Sequence, residues 1–161
     1  MSAGSSNVMQ LDPVSLNQSN ITIGNDGFTG LVLTSSGNVI GVPLSSNVVV
    51  INPSNQTASN VAINPTGNVY GSFNGGVLLP SGNVIFTPGM SANVGMYSPS
   101  LVTYSNSSVV GSNSLVKFSG STLLPSGQVV LTPSWAGNVA VLSTDTPAPK
   151  EMCLSPYFNK F

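Results

Sequence analysis

Few side chains in this 161-residue chain can do chemistry, and their positions keep them apart. Asp12, Asp26, Asp145 and Glu151 are the four acids. Lys117, Lys150 and Lys160 are the three bases, and there is no arginine or histidine. Without imidazole there is neither a serine-type triad nor a histidine metal ligand. Metal sites need clustered Cys, His or carboxylates, and the four acids are scattered. A paired-carboxylate mechanism would need the fold to bring two acids together, and Asp12 with Asp145 is the one pair a terminal clasp could join. Cys153 is the single cysteine; its basic neighbour is Lys150, and no His can activate it. An intrachain disulfide is therefore excluded. The glycine-rich run from Gly71 to Gly76 lacks the lysine of a phosphate loop and leads into strands, not a helix, so it reads as a loop. The expectation is no catalytic residue, no metal, no cofactor and no enzyme.

Groups suited to binding are easier to find. Trp135 is the only tryptophan and lies in a loop of the last repeat, between Ser134 and Ala136. Such a ring can stack on a sugar or a partner, or fold onto its own sheet. The C-terminal stretch 145–161 is Pro-rich at Pro147 and Pro149, then aromatic at Tyr157, Phe158 and Phe161. A Pro-rich spacer gives reach, and clustered aromatics anchor well, so these three residues read as a hook for a neighbouring subunit. The alternative is that the tail folds back over its own domain. Asn17, Asn20, Asn55 and Asn106 begin Asn-X-Ser/Thr sequons, which an Asn- and Ser-rich chain also produces by chance.

The elements that must carry these groups are built from an almost uncharged chain. Charged residues are 4% of the total, the formal net charge is −1, and 40% of residues are hydrophobic. Three scattered lysines cannot neutralise a phosphate backbone or hold an anionic bilayer, which excludes nucleic acid and membrane surfaces as partners. A weakly charged surface associates readily, so a homo-oligomer or a larger assembly is expected. No stretch has the length and apolarity of a membrane helix, so no membrane insertion is expected. Residues 1–10 are polar and unlike a signal peptide. Synthesis in the cytoplasm is the expectation.

Internal repetition is the strongest pattern. Gly75-Gly76-Val77-Leu78-Leu79-Pro80-Ser81-Gly82-Asn83-Val84-Ile85-Phe86-Thr87-Pro88 returns as the run from Gly120 to Pro133, and in diverged form from Gly30 to Pro43. Gly37, Gly82 and Gly127 are 45 residues apart, as are Phe28, Phe73 and Phe118. A second half follows each copy, as in Ser46 to Pro53 and Ala92 to Pro99, and it also opens the chain from Ser6 to Pro13. Short Val- and Ile-rich runs end at Ser-Gly, Thr-Pro and Asn-Pro breakers, which is strand and turn punctuation. In the second unit this predicts strands near Val77–Pro80, Asn83–Thr87, Asn93–Tyr97 and Leu101–Tyr104.

The prediction is a single all-β domain over residues 1–144, made of three four-stranded meander repeats of about 45 residues. The units are a half unit at 1–27, then 28–72, 73–117 and 118–144, followed by the tail at 145–161. Four-stranded meanders at this period form propeller-type sheets, here closed by pairing of the N- and C-terminal half units. Three such units also fit a β-trefoil or a β-prism, or a ring shared between two chains.

The run Gly75 to Pro88 and its sequel Ser91-Ala92-Asn93-Val94-Gly95-Met96-Tyr97-Ser98-Pro99 resemble kelch-like β-propeller repeats of marine phages and giant viruses. The ending Leu154 to Phe161 is similar to endings of such phage proteins. The resemblance implies a structural or adhesive role in a virus particle and carries no catalytic motif. The functional expectation is therefore a non-enzymatic structural protein of a virion, as a capsid decoration or a tail or fibre component, contacting other virion or assembly proteins. The alternative is a multivalent, lectin-like module for surface glycans, working at an extracellular surface.

Overall fold

A computed structural model describes residues 7–24, 26–44, 46–63, 73–108 and 116–144, apart from the side chains of 104 and 106–108. Thirteen strands form in these residues. They are β1 (Asn7–Leu11), β2 (Gln18–Thr22), β3 (Phe28–Leu33), β4 (Val39–Pro43), β5 (Asn47–Asn52), β6 (Thr57–Ala62) and β7 (Phe73–Leu78). The series continues with β8 (Val84–Pro88), β9 (Asn93–Ser98), β10 (Thr103–Ser108), β11 (Phe118–Leu123), β12 (Val129–Pro133) and β13 (Ala140–Leu142). Every ladder is antiparallel and joins consecutive strands. The result is a β1–β2 hairpin, a first sheet β3-β4-β5-β6, a second sheet β7-β8-β9-β10 and a third sheet β11-β12-β13.

The turns explain the period. Gly37, Gly82 and Gly127 each have φ near +85°, at +85°, +86° and +86°, a region where a side chain would be strained. Each glycine donates its N–H to the carbonyl three residues back, Thr34, Leu79 or Leu124. The turns that join β1 to β2, β5 to β6 and β9 to β10 are also alike. The Asp12 and Asn52 side chains accept from the backbone N–H groups two and three residues on. Leu16, Gln56 and Val102 then take positive φ at the same place in each turn. The Pro that follows Asp12, Asn52 and Ser98 has a φ suited to that bend.

The sheets stack face to face through alternation. In β5, Val48 and Val50 enter the core between the first and second sheets, while Val49 and Ile51 enter the core beneath the β1–β2 hairpin. In β9, Tyr97 faces the first sheet, and Val94 and Met96 face the third. The first strands of successive sheets lie side by side, β3 with β7 and β7 with β11. Gly76 sits at one such approach, where a Cβ would lie 2.9 Å from the Ile85 carbonyl oxygen and 3.1 Å from Val32.

Two sequence expectations change here. The first strand of the second unit starts at Phe73 and not near Val77, so Phe73 to Gly76 is strand and not loop. At Gly76 the Ile85 carbonyl of its own sheet, with Val32 and Val42 of the first sheet, leaves no room for a Cβ. The fourth strand starts at Thr103, because Leu101 and Val102 form the turn. Pairing between the terminal half units is not among the ladders of the described residues. There β1 and β2 pair with each other, and β13 pairs with β12.

Candidate functional site

Two regions carry polar chemistry: the junctions between sheets, and one loop that presents Trp135.

The junctions repeat a single device. In β3, β7 and β11 the register with the next strand slips after the phenylalanine, leaving Thr29, Asn74 and Ser119 as the bulged residues. A bulge re-aims its side chain. The Thr29 hydroxyl donates to the Phe73 carbonyl of the second sheet at 2.8 Å. The Asn74 amide donates to the Phe118 carbonyl of the third at 2.9 Å. Each phenylalanine ring packs toward the preceding element: Phe73 among residues of the first sheet, Phe118 among those of the second, and Phe28 against the β1–β2 hairpin. A further hydroxyl pair, Thr87 with Ser121 at 2.7 Å, ties the second sheet to the third. Sequence reasoning missed Thr29, Asn74 and Ser119. The signal was present, because a short polar residue follows each phenylalanine of the 45-residue series.

The loop between β12 and β13 is pinned by its backbone. Ser134 and Ala136 donate their N–H groups to the Lys117 carbonyl, and Trp135 donates to that of Val116. The Trp135 ring is 72% exposed. Lys117 itself is buried, and its Nζ donates to the Ser91 carbonyl at 2.9 Å. Its own N–H reaches the Gly89 carbonyl. Lys117 therefore fastens the β8–β9 loop to the β12–β13 loop, and burial holds its ammonium below the usual lysine range. This role was not read from the sequence, where Lys117 looked like one of three scattered charges.

The acids are occupied singly. Asp26 accepts from the Asn47 and Asn60 side chains at 2.8 and 2.6 Å, which ties the start of the first sheet to β5 and β6. Asp12 caps its turn, and the N–H groups of Val14 and Ser15 lower its pKa. Among the described residues no group of three or more His, Cys, Asp or Glu could hold a metal. Tyr97 is buried between sheets, as a sheet-face residue should be, and burial raises its pKa. Tyr157, Phe158, Phe161, Cys153, Asp145, Glu151 and Tyr70 lie outside the described residues. Among the described residues no helix is long and apolar enough to cross a membrane.

Known structures share this architecture. Virginiamycin B lyase from Staphylococcus aureus, solved as a catalytically inactive variant with quinupristin, matches with TM-score 0.66 and 15% identity over 89% of this chain and 50% of its own. A Kuenenia stuttgartiensis hydrazine synthase matches with TM-score 0.65 and 12% identity, over 86% of this chain and 40% of its own. The extracellular domain of a one-component system from B. thetaiotaomicron matches with TM-score 0.62 and 10% identity, over 89% and 20%. No family model and no curated protein matches the sequence. The fold is all-β and of the β-propeller type, the three sheets being blades, so the trefoil alternative falls away. The chain spans about half the length of the lyases it matches.

These matches overturn one expectation. The same architecture carries a lyase, so the fold is compatible with catalysis and the expectation that the chain is no enzyme does not stand. Fold and chemistry are separable, and a propeller accepts varied sites on one scaffold.

Proposed function

We propose that this chain is an assembly subunit, a structural component of a larger particle such as a virion, working through contact between its blades and partner surfaces. The carrying observation is that the first and last blades of the arc expose apolar side chains at repeat positions that are buried elsewhere in it. Leu33 is 65% exposed in the first blade and Val141 is 54% exposed in the last. The counterparts of Leu33, Leu78 and Leu123, pack into the cores between blades. The near-absence of charge supports this reading, since nothing electrostatic opposes close association. The virion setting rests on the repeat's resemblance to phage propeller proteins, and the aromatic tail would serve there as an anchor. Light scattering of the purified protein over a range of concentrations, with co-purification on particles, tests the reading. A strict monomer that is absent from particles would end it.

The pinned loop favours a second reading, binding of a neutral glycan at Trp135. An exposed indole held by a hydrogen-bonded backbone is a preformed stacking surface. Because Trp135 is the only tryptophan, fluorescence titration with neutral oligosaccharides reports on this site alone. An unchanged spectrum across a broad panel would end the glycan reading.

A further inference from the structure

The chain carries two partial blades, and each has strands that the other lacks. The β1–β2 hairpin stands on blade 1 as the outer half of a preceding blade. Val8, Ile21 and Ile23 share a core with Val49 and Ile51 of blade 1, and β2 lies against β6. The repeat makes β1 a third strand and β2 a fourth, since Asn7-Val8 matches Asn47-Val48 and Asp12-Pro13 matches Asn52-Pro53. Among the described residues no first or second strand joins this hairpin. Blade 3 is incomplete at the opposite edge. Its third strand, β13, has three residues where β5 and β9 have six. Thr144 stands where Pro13, Pro53 and Pro99 open the turn to a fourth strand. Among the described residues no fourth strand pairs with β13.

The bare apolar surfaces are those that the missing strands would cover. The hairpin reaches Phe28 and Val39 of blade 1, yet Leu31 and Leu33 on its first strand are exposed. Leu78, the counterpart of Leu33, packs into the core between blades 1 and 2. On β1, Met9 and Leu11 point away from Val8 and are 59% and 50% exposed, whereas their counterparts Val49 and Ile51 are buried. Ala140 and Leu142 hold the matching places in β13, against the core between blades 2 and 3. A Cβ built on Gly30 would lie 3.9 Å from the Gly75 backbone, and one on Gly75 would lie 3.9 Å from Gly120, but one on Gly120 would meet nothing within 4 Å. A further first strand fits there.

We infer that two copies close one ring by sharing these halves. The β1–β2 hairpin of each copy, still seated on its own blade 1, becomes the third and fourth strands of the other copy's blade 3, pairing along β12 in place of β13. The repeat sets Val129, Val130 and Leu131 opposite Leu11, Gln10 and Met9 of the second copy, as Val39, Ile40 and Gly41 stand opposite Ile51, Val50 and Val49. Met9 and Leu11 take the places of Ala140 and Leu142, and β11 with β12 covers the second copy's Leu31 and Leu33. The exposed Ser119 hydroxyl donates to the second copy's Phe28 carbonyl, as Thr29 does to that of Phe73. The exchange gives up the β13 ladder and the Thr144 hydroxyl's bond to the Gly127 carbonyl. It buries four large apolar side chains and pairs the inner edge of β1. A closed propeller has about four to eight blades, a range that two copies of three blades reach and one copy does not. Two copies also supply the length of one of the matched lyase chains, of which a single copy covers 50%. This ring rests on the assembly reading and gives it a partner and a seam.

The test uses the full chain in two forms, both with Cys153→Ser, one carrying Gln10→Cys and the other Val130→Cys. Opposed residues of an antiparallel ladder stand roughly 4.5–5.5 Å apart between Cα atoms, within disulfide reach. Thermal unfolding controls for folding. The unaltered protein should show twice the single-chain mass by light scattering. After co-expression and oxidation the two forms should give a disulfide-linked pair, and either form alone should give none. In a separate chain Leu33→Glu, at an exposed position, should reduce the doubled mass to the single-chain mass. A doubled mass without the linked pair, or one that survives Leu33→Glu, would overturn the strand exchange and leave the assembly reading standing. A linked pair formed equally by either form alone would overturn it too. An unaltered protein that is monomeric yet present on particles would overturn the second copy as partner while keeping the assembly reading. If it is monomeric and absent from particles, both fail.

Discussion

The Thr29 hydroxyl reaches across from blade 1 to the Phe73 carbonyl of blade 2, at 2.8 Å, from a bulge that serves no purpose within its own sheet. Thr29→Val keeps the shape of the side chain and removes the donor. A neutral hydrogen bond of this kind contributes about 1 kcal/mol. Urea unfolding of the variant should show a loss of that size with an unchanged slope. No loss would mean that the bulge is a consequence of sheet curvature and not a fastener.

Tight packing within and between blades makes a sharper prediction at Gly76. A Cβ there would lie 2.9 Å from a backbone oxygen, which cannot rotate away, and 3.1 and 3.2 Å from the methyl groups of Val32 and Val42. Gly76→Ala should destabilise by about 1–3 kcal/mol, as overpacking does. Gly120→Ala, at an open position, should fall within about 0.5 kcal/mol of the parent. Denaturant midpoints of the two variants, compared in one series, decide it.

Val102 holds φ at +52°, a conformation that a β-branched residue rarely adopts. Its side chain is exposed, so little packing repays the strain. Val102→Gly should raise stability by about 1 kcal/mol, net of the extra chain entropy of glycine. A lower melting temperature in the variant would show that the turn draws support from the valine side chain.

Lys117 gives a pH dependence whose sign follows from burial. Its folded pKa is lowered, whereas the unfolded chain titrates near the ordinary lysine value of 10.5. Between the two values the unfolded chain binds more protons, so stability rises with pH in that window and falls again as pH drops through the folded value. Lys117→Met should lack this rise. Urea midpoints of both proteins between neutral pH and pH 10.5 would show the parent gaining on the variant. Parallel curves would place the ammonium in solvent.

The 45-residue unit, its Ser-Gly hairpins and its Val-rich sheet faces were legible because turn chemistry and period-two alternation are local properties. Gly37, Gly82 and Gly127 have positive φ for reasons that four neighbouring residues set. Gly76 was misread as loop because its reason lies in distant residues, Ile85 of the next strand and Val32 and Val42 of the neighbouring blade. Leu101 and Val102 were misread as strand because apolar residues in a turn break the usual association of turns with polarity. Thr29, Asn74 and Ser119 were invisible as fasteners, since a polar residue after an aromatic one looks like any strand edge until the register slip is seen. The exposure of Trp135 was equally open, because the hydrogen bonds that hold its loop come from Val116 and Lys117, eighteen or so residues earlier in the chain.

Every ladder in the described residues joins strands that are consecutive in sequence. No sheet therefore has to wait for a distant segment before it forms, and loop closure costs little at each step. Folding can begin at any blade and spread to its neighbours, as in other modular repeats whose stability adds unit by unit. Unfolding should then start at the two ends of the arc and move inward, with the middle blade exchanging its amide hydrogens last.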